Sequence, residues 1–389
     1  MEKKYFKGLC LVIAIMVIHL FITPGYSQDK PPFNRLTISS YEVGGGAYIN
    51  TSSLGEGIFK KFGIRVRSVP VGIGTSRILH VRLGKADFGV TIDGLFASEG
   101  VYDFASLDWG PQPLSMIYIP ARQSAYSFAV AGNSGMKTIS DVKGKRVGWL
   151  IGSPFTQNMV RGSLAFGGLS LDDVELVKIR SMGAIYQSLL DGKIDVAAVD
   201  SSGSAAYELA SSHKGIHWIP FPKDNIEGWK RFRLINPQVQ AIYSKFGAGL
   251  KEKPESVATV PFPQYFAYAD ANEDKIYWIT KVIVESFDNY KDISMPMQWY
   301  KLEDAIKSYS VLPYHPGSVR YFKETGVWNE QLEKNQKELL ERQKKLKALW
   351  DVVIDEALDK GIKGKEFPKY WEEKRSKLFP EFWVETPVN

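Results

Sequence analysis

The chain has 389 residues, a single cysteine and a formal charge of +6, with 44% hydrophobic and 24% charged residues. That length predicts two or three domains with ample core, and one cysteine, Cys10, excludes an internal disulfide framework. The basic excess is small and spread along the chain, which makes no case for nucleic acid and suits a protein that gathers anions.

Lys3, Lys4 and Lys7 precede a 14-residue apolar run, 9–22, followed by Pro24, Gly25, Tyr26 and Ser27. This is the pattern of a secretory signal peptide over 1–27, cut after Ser27. A membrane anchor is the alternative, but roughly 20 apolar residues are needed to span a bilayer. Cleavage removes Cys10, three Lys and Glu2, so the charge falls from +6 to +4 and the exported chain has no disulfides. Its stability must then come from packing.

From Arg35 onward, short β-rich runs alternate with helical stretches, the signature of an α/β fold with largely parallel sheets. Strands are expected at 36–41, 64–69 and 88–92, with a helix to about Phe62 after the first. After the second come a turn on Gly72 and Gly74, hydroxyls at Thr75 and Ser76, and a helix with Arg77 in its first turn. Amides at a helix start and glycines that allow close approach suit a small anion. The helix dipole opposes a cation there, so Arg77 needs a compensating anion, and a carboxylate offers it a bidentate partner.

The segment 83–90, LGKADFGV, resembles 191–198, DGKIDVAA. In each, a helix should end at glycine (Gly84, Gly192), a lysine favours the helix C-terminus, and a strand follows. Two lobes built on one unit is the economical reading; a common αβ turn reached twice is the other.

The second lobe begins near Ala125, with strands expected at 127–131, 147–151 and 196–199 and a short helix and turn at 140–146. The second of these strands leads into Gly152, Ser153, Pro154, Phe155, Thr156 and a helix over 157–166. The third ends in Asp200, Ser201, Ser202, Gly203 and Ser204. Beyond Pro220 the pattern loosens, as for a passage back between lobes. The domains are therefore expected at 1–27 (leader), 28–124 with 240–389 (first lobe) and 125–239 (second lobe). From Asp274 the chain reads as mostly helical. Within 329–359, Leu332, Leu339, Leu346 and Val353 are seven apart, while Asn335 and Arg342 occupy the other seam position, so an amphipathic helix packed on a lobe is expected over a coiled coil.

Ligands of open α/β sheets collect at strand ends. The candidates are Gly45, Ala47, Tyr48, Gly74, Thr75, Ser76, Arg77, Asp93, Ser153, Thr156, Ser202 and Ser204, with Trp149 and Phe155 as apolar cover. Each has a plainer explanation, as helix cap or as core. There is no GxSxG, HExxH, GxxxxGK[ST] or CxxC, and Gly215 breaks the spacing of His213 and His217, so no metal or cofactor is expected. An enzyme using Asp93 or Asp200 as acid and base is the rival reading.

The phrase Leu312, Pro313, Tyr314, His315, Pro316, Gly317, Ser318, Val319, Arg320, Tyr321, Phe322, Lys323, Glu324, Thr325, Gly326 resembles the closing motif of the TAXI family, solute-binding proteins that serve TRAP transporters. The resemblance extends over nearly all of the chain after the leader, including the turns at 44–48 and 84–87, the DVKGKRV of 141–147, and 191–196. It implies an α/β, two-lobed periplasmic binding protein fold (type II-like), each lobe a mixed sheet flanked by helices, with an extra helical C-terminal tail. It also implies a non-enzymatic periplasmic receptor that closes over a small organic acid or amino acid and hands it to TRAP membrane subunits. Where many members have threonine, two glycines and serine in the second loop, then asparagine, this chain has Val71, Gly72, Ile73, Gly74 and Arg77, similar to a longer subgroup with an extended helical tail. His315 and Pro316 are expected to shape a turn and helix start. A receptor that reports to a sensor kinase is the remaining alternative.

Overall fold

The computed structural model describes residues 30–379 apart from Gly44, Ile73 and Tyr309; the expected leader lies outside the described residues. The chain from Arg35 forms β1 (Arg35–Ser40), α1 (Gly46–Phe62), β2 (Arg65–Pro70), α2 (Gly74–Arg82), β3 (Phe88–Thr91), α3 (Gly94–Glu99) and β4 (Leu114–Tyr118). A second run follows: β5 (Tyr126–Ala131), β6 (Arg146–Leu150), α4 (Pro154–Phe166), β7 (Glu175–Ile179), α5 (Met182–Asp191), β8 (Val196–Asp200), α6 (Ser204–Ser211) and β9 (Ile216–Trp218). Then come α7 (Ile226–Ile235), β10 (Gln240–Ser244), β11 (Glu255–Thr259) and β12 (Gln264–Tyr268). Six helices complete the described chain: α8 (Glu273–Glu285), α9 (Phe287–Tyr290), α10 (Leu302–Ala305), α11 (Pro316–Glu324), α12 (Glu330–Asp359) and α13 (Phe367–Leu378).

The strands make two five-stranded mixed sheets, ordered β2-β1-β3-β12-β4 and β7-β6-β8-β5-β9. In each, the first three strands are parallel and the fourth runs antiparallel to both its neighbours. Helices flank both sheets. This is the two-lobed, mixed-sheet fold expected from the sequence.

The repeated segment is structural. Asp87 Oδ2 accepts the amide of Thr37 at 2.6 Å, and the Asp87 amide donates to the Thr37 carbonyl at 2.8 Å. Asp195 Oδ2 accepts the amide of Arg146 at 2.9 Å, and its amide returns a 2.8 Å bond to the Arg146 carbonyl. Each aspartate thus pins its own strand to the start of the lobe's first parallel strand. Gly84 and Gly192 precede them at φ 65° and 72°, in the left-handed region where glycine avoids the Cβ penalty.

After Pro220 the chain is more ordered than its glycines and prolines suggest. Helix α7 is capped by Asn225, whose Oδ1 accepts the Gly228 amide at 2.9 Å. The β10–β11 hairpin joins the core of the second sheet, with Val257 and Leu250 packed among residues that include Trp218 and Val199. Trp218 Nε1 also donates to the Ala248 carbonyl at 2.8 Å. The chain returns to the first sheet only with β12.

Helix α12, N-capped by Asn329, lies against the first lobe. Leu339, Leu346 and Val353 are buried, and the two polar residues that spoil a coiled coil are docking contacts. Asn335 Nδ2 donates to the Ser310 carbonyl at 3.3 Å, and Arg342 donates to Glu99 through Nε (2.5 Å) and Nη2 (2.9 Å). Arg375 of α13 joins the same carboxylate at 2.5 Å. Losing one member of such a buried network costs about 3–5 kcal/mol, so Glu99 fixes where the tail docks.

Candidate functional site

The parallel strands of both sheets end at one cavity of about 380 Å³, lined from the two lobes. Of the residues expected from the sequence, Gly45, Ala47, Gly74, Arg77, Ser153, Thr156 and Ser204 line it. Tyr48, Thr75, Ser76, Asp93, Trp149, Phe155 and Ser202 are not on its wall. Phe155 is fully buried core, edge-on to Tyr126 at 5.1 Å, and Trp149 lies under the Arg161 guanidinium at 4.8 Å. Tyr48, Thr75 and Ser76 are half-buried on their helices. Ser202 donates from its hydroxyl to Asp200 Oδ1 at 2.8 Å.

The anion that the placement of Arg77 demands is supplied by the protein. Arg77 Nη2 lies 3.5 Å from Asp93 Oδ2, Nη1 donates to the carbonyls of Val71 and Gly72 at 3.1 Å each, and the guanidinium stacks 3.6 Å from the Tyr41 ring centre. A free fork for a ligand carboxylate is therefore not present; only Nε is buried without a hydrogen-bond partner. Asp93 is 1% exposed, and burial pushes its pKa up, opposed by Arg77 and by the Phe155 amide. It stands at the N-cap position of α3, yet its side chain makes no bond to that helix. Instead Oδ1 accepts the Phe155 amide at 3.2 Å, so a carboxylate of the first lobe caps α4 of the second.

Asp200 mirrors this arrangement. Its Oδ1 accepts from the amide and hydroxyl of Ser202, at 2.8 Å each, and from Arg122, which also donates to Ser124 Oγ at 2.9 Å. Its Oδ2 faces α1 of the first lobe: a methyl group on Gly46 would lie 3.4 Å from it. The ends of the equivalent strands β3 and β8 thus each present a carboxylate to the helix that follows the equivalent strand, β6 or β1, of the other lobe.

Several wall residues escaped sequence reasoning: Tyr41, Tyr126, Tyr186, Phe262, Glu42 and Arg180. Burial raises the pKa of the Tyr41, Tyr126 and Tyr186 phenols, so they remain neutral donors. Tyr126 shares a 2.9 Å hydrogen bond with Thr156 Oγ1, and Tyr186 donates to the Asp200 carbonyl. Arg180, the residue after β7, is exposed and forms no ion pair among the described residues. Its signal was topological, since it holds in the second lobe the strand-end position that the loop before α2 holds in the first.

The helix starts around the cavity differ in what covers their amides. Ser153 caps α4 at the Thr156 amide (3.4 Å) and Ser181 caps α5 at the Ala184 amide (3.2 Å). Helices α1 and α6 have glycines, Gly45 and Gly203, at the N-cap and no side-chain cap. The amides of Gly46 and Ala47 and of Ser204 and Ala205, with Arg180 and Arg77 Nε, are donors without acceptors among the described residues, which is the equipment for holding an anionic group. Among the described residues no group of three or more His, Cys, Asp and Glu is placed to hold a metal. No described helix is long and apolar enough to cross a membrane.

Residues 60–326 match the NMT1-like family. Among solved structures the chain is similar to the periplasmic aliphatic sulphonate binding protein SsuA from Escherichia coli, with 17% identity over 67% of this chain and 73% of that one and a TM-score of 0.42. It is similar to the alkanesulfonate-binding protein SsuA from Xanthomonas axonopodis pv. citri bound to MOPS, at 15% identity, 80% and 95% coverage and a TM-score of 0.43. An ancestral arginine-binding protein bound to arginine gives 16% identity, 69% and 98% coverage and a TM-score of 0.42. By name all three are binding proteins.

Proposed function

The chain belongs to the NMT1-like family, and from that premise we propose that it is a periplasmic solute-binding receptor that takes a small organic anion into the cleft between its lobes. The observation that carries this reading is the cavity itself. At about 380 Å³ it is the size of a small-molecule site, and both lobes supply donors to it.

In this reading the ligand carboxylate meets the uncapped amides of α1 and α6, Arg180 and the remaining N–H of Arg77, while Tyr41, Tyr126, Tyr186 and Phe262 cover its carbon body. Ser153, Thr156 and Ser204 add hydroxyls. The lobes are 35–121 with 264–379, and 125–259 with the β10–β11 hairpin included, so the hinge lies in 122–124 and 260–263. Closure is driven by contacts that the ligand makes to both lobes at once. The TAXI-like closing phrase supports delivery to the membrane subunits of a TRAP transporter, in the subgroup with a longer helical tail, and no chemistry on the solute.

The test is a thermal-shift screen of the full chain against amino, keto, dicarboxylic and aromatic acids. A bound acid at a hundred times its Kd adds about 2.7 kcal/mol of stability and raises the melting temperature. Silence across the whole panel would overturn the reading.

A further inference from the structure

The C-terminal helices do more than cover the first lobe, because they grip a segment of it, 99–110, that reaches α4 beside the cleft. Glu99 accepts from Arg342 and Arg375 at 2.5 Å each. Trp371 Nε1 donates to the Gly100 carbonyl at 2.7 Å. Ala105 sits in an apolar cluster with Trp350, Val353, Phe367 and Trp371, and a methyl group on Gly110 would lie 2.3 Å from the Trp350 ring.

Between these grips stands Tyr102, at φ 56° the non-glycine residue of the described chain that is held in the left-handed region. A bulky side chain keeps that backbone only where its surroundings impose it. The Tyr102 ring packs on Phe96 at 5.4 Å, its hydroxyl faces Asn158, and Arg161 lies 5.8 Å from the ring centre. Asn158 and Arg161 belong to α4, are joined by a 3.0 Å hydrogen bond, and Arg161 continues onto Trp149 at 4.8 Å. The first turn of the same helix supplies Thr156 to the cavity and the Phe155 amide to Asp93.

We propose that Tyr102 is a positioning residue for lobe closure, held by the C-terminal helices so that it braces α4 of the second lobe from the first. The tail thereby sets how readily the lobes come together, a role that rests on the receptor closing as described above.

The test is hydrogen exchange in the ligand-free full chain, read at the first turns of α4, 154–161. Tyr102→Ala speeds exchange there by about threefold or more, as expected when a local closing contact is lost. Trp371→Phe keeps an aromatic ring, though a smaller one, and deletes the bond to Gly100; it also speeds exchange in α4, and adds nothing further when Tyr102 is already alanine. Arg161→Met probes the same contact from the second lobe and matches Tyr102→Ala, while Tyr102→Phe keeps most of the protection. A tail that merely stabilises its own lobe would change exchange in 99–110 and leave α4 untouched, and that result overturns the proposal, as does equal action of Trp371→Phe with and without Tyr102. Because no acid is added, this outcome is independent of the ligand screen.

Discussion

Replacing Asp93 by asparagine tests the claim that Arg77 is compensated from within. The pair is 3.5 Å apart and both side chains are almost fully buried. At an effective dielectric of about 20, two unit charges at that distance attract by about 5 kcal/mol. Burial raises the Asp93 pKa and so returns part of this. Asparagine keeps an acceptor for the Phe155 amide, so the loss is that of the charge and of the acceptor that faces Arg77. Breaking a buried pair costs about 3–5 kcal/mol in general, and the long contact here places Asp93→Asn at about 2–3 kcal/mol. For a chain of this size each kcal/mol shifts the melting temperature by about 2 °C, giving a fall of about 4–6 °C. Urea unfolding followed by circular dichroism, with Arg77→Met and the double variant, completes a cycle in which the double loses about 1–3 kcal/mol less than the sum of the singles. Loss below about 0.5 kcal/mol for Asp93→Asn, or strict additivity, would refute the pairing and return the full charge of Arg77 to the ligand.

Arg180→Ala should weaken binding of any acid found in the screen by about tenfold or more by calorimetry, since a hydrogen bond to a charged group is worth about 1.5–3 kcal/mol, while the exposed position leaves stability within about 0.5 kcal/mol. His315 N-caps α11, with Nδ1 accepting the Gly317 amide at 3.2 Å, and burial lowers its pKa. The unfolded chain then binds the proton more readily, so the stability His315 contributes is complete above its ordinary value of 6.5 and is lost as pH falls through the lower folded value. His315→Asn keeps a capping acceptor and should flatten the fall in melting temperature between about pH 7 and 5; an unchanged slope would show that other groups carry it.

The legible part of this fold was periodic and local. The strands of 35–91 and 126–200 that feed glycine turns, the repeat at Gly84 and Gly192, and the heptad of α12 all announce themselves by spacing. His315 and Pro316 start a helix, as their order suggests. Less legible were β4, β9 and β12, which are short strands whose partners are distant in sequence, together with β7 and with α7, which carries Gly228 inside it. Seven of the fourteen candidate residues line the cavity because strand ends converge there whatever their side chains. Arg77 shows what a sequence withholds: its need for an anion was readable, but that Asp93, sixteen residues on, meets it depends on tertiary packing. Arg180, Tyr186 and Phe262 escaped for the same reason, since they reach the cavity from the end of β7, from α5 and from the crossing before β12, places whose convergence is tertiary.

The central claim is that an organic acid binds between the lobes, and Gly183 offers the most direct test. It lines the cavity in the first turn of α5, and no atom lies within 4 Å of where its Cβ would stand, so Gly183→Phe starts a bulky side chain from open space on the cavity wall. Calorimetric titration of an acid that raises the melting temperature of the native chain should show one site, and no binding to Gly183→Phe whose own melting temperature is unchanged. Equal binding by both proteins would place the acid elsewhere and contradict the account.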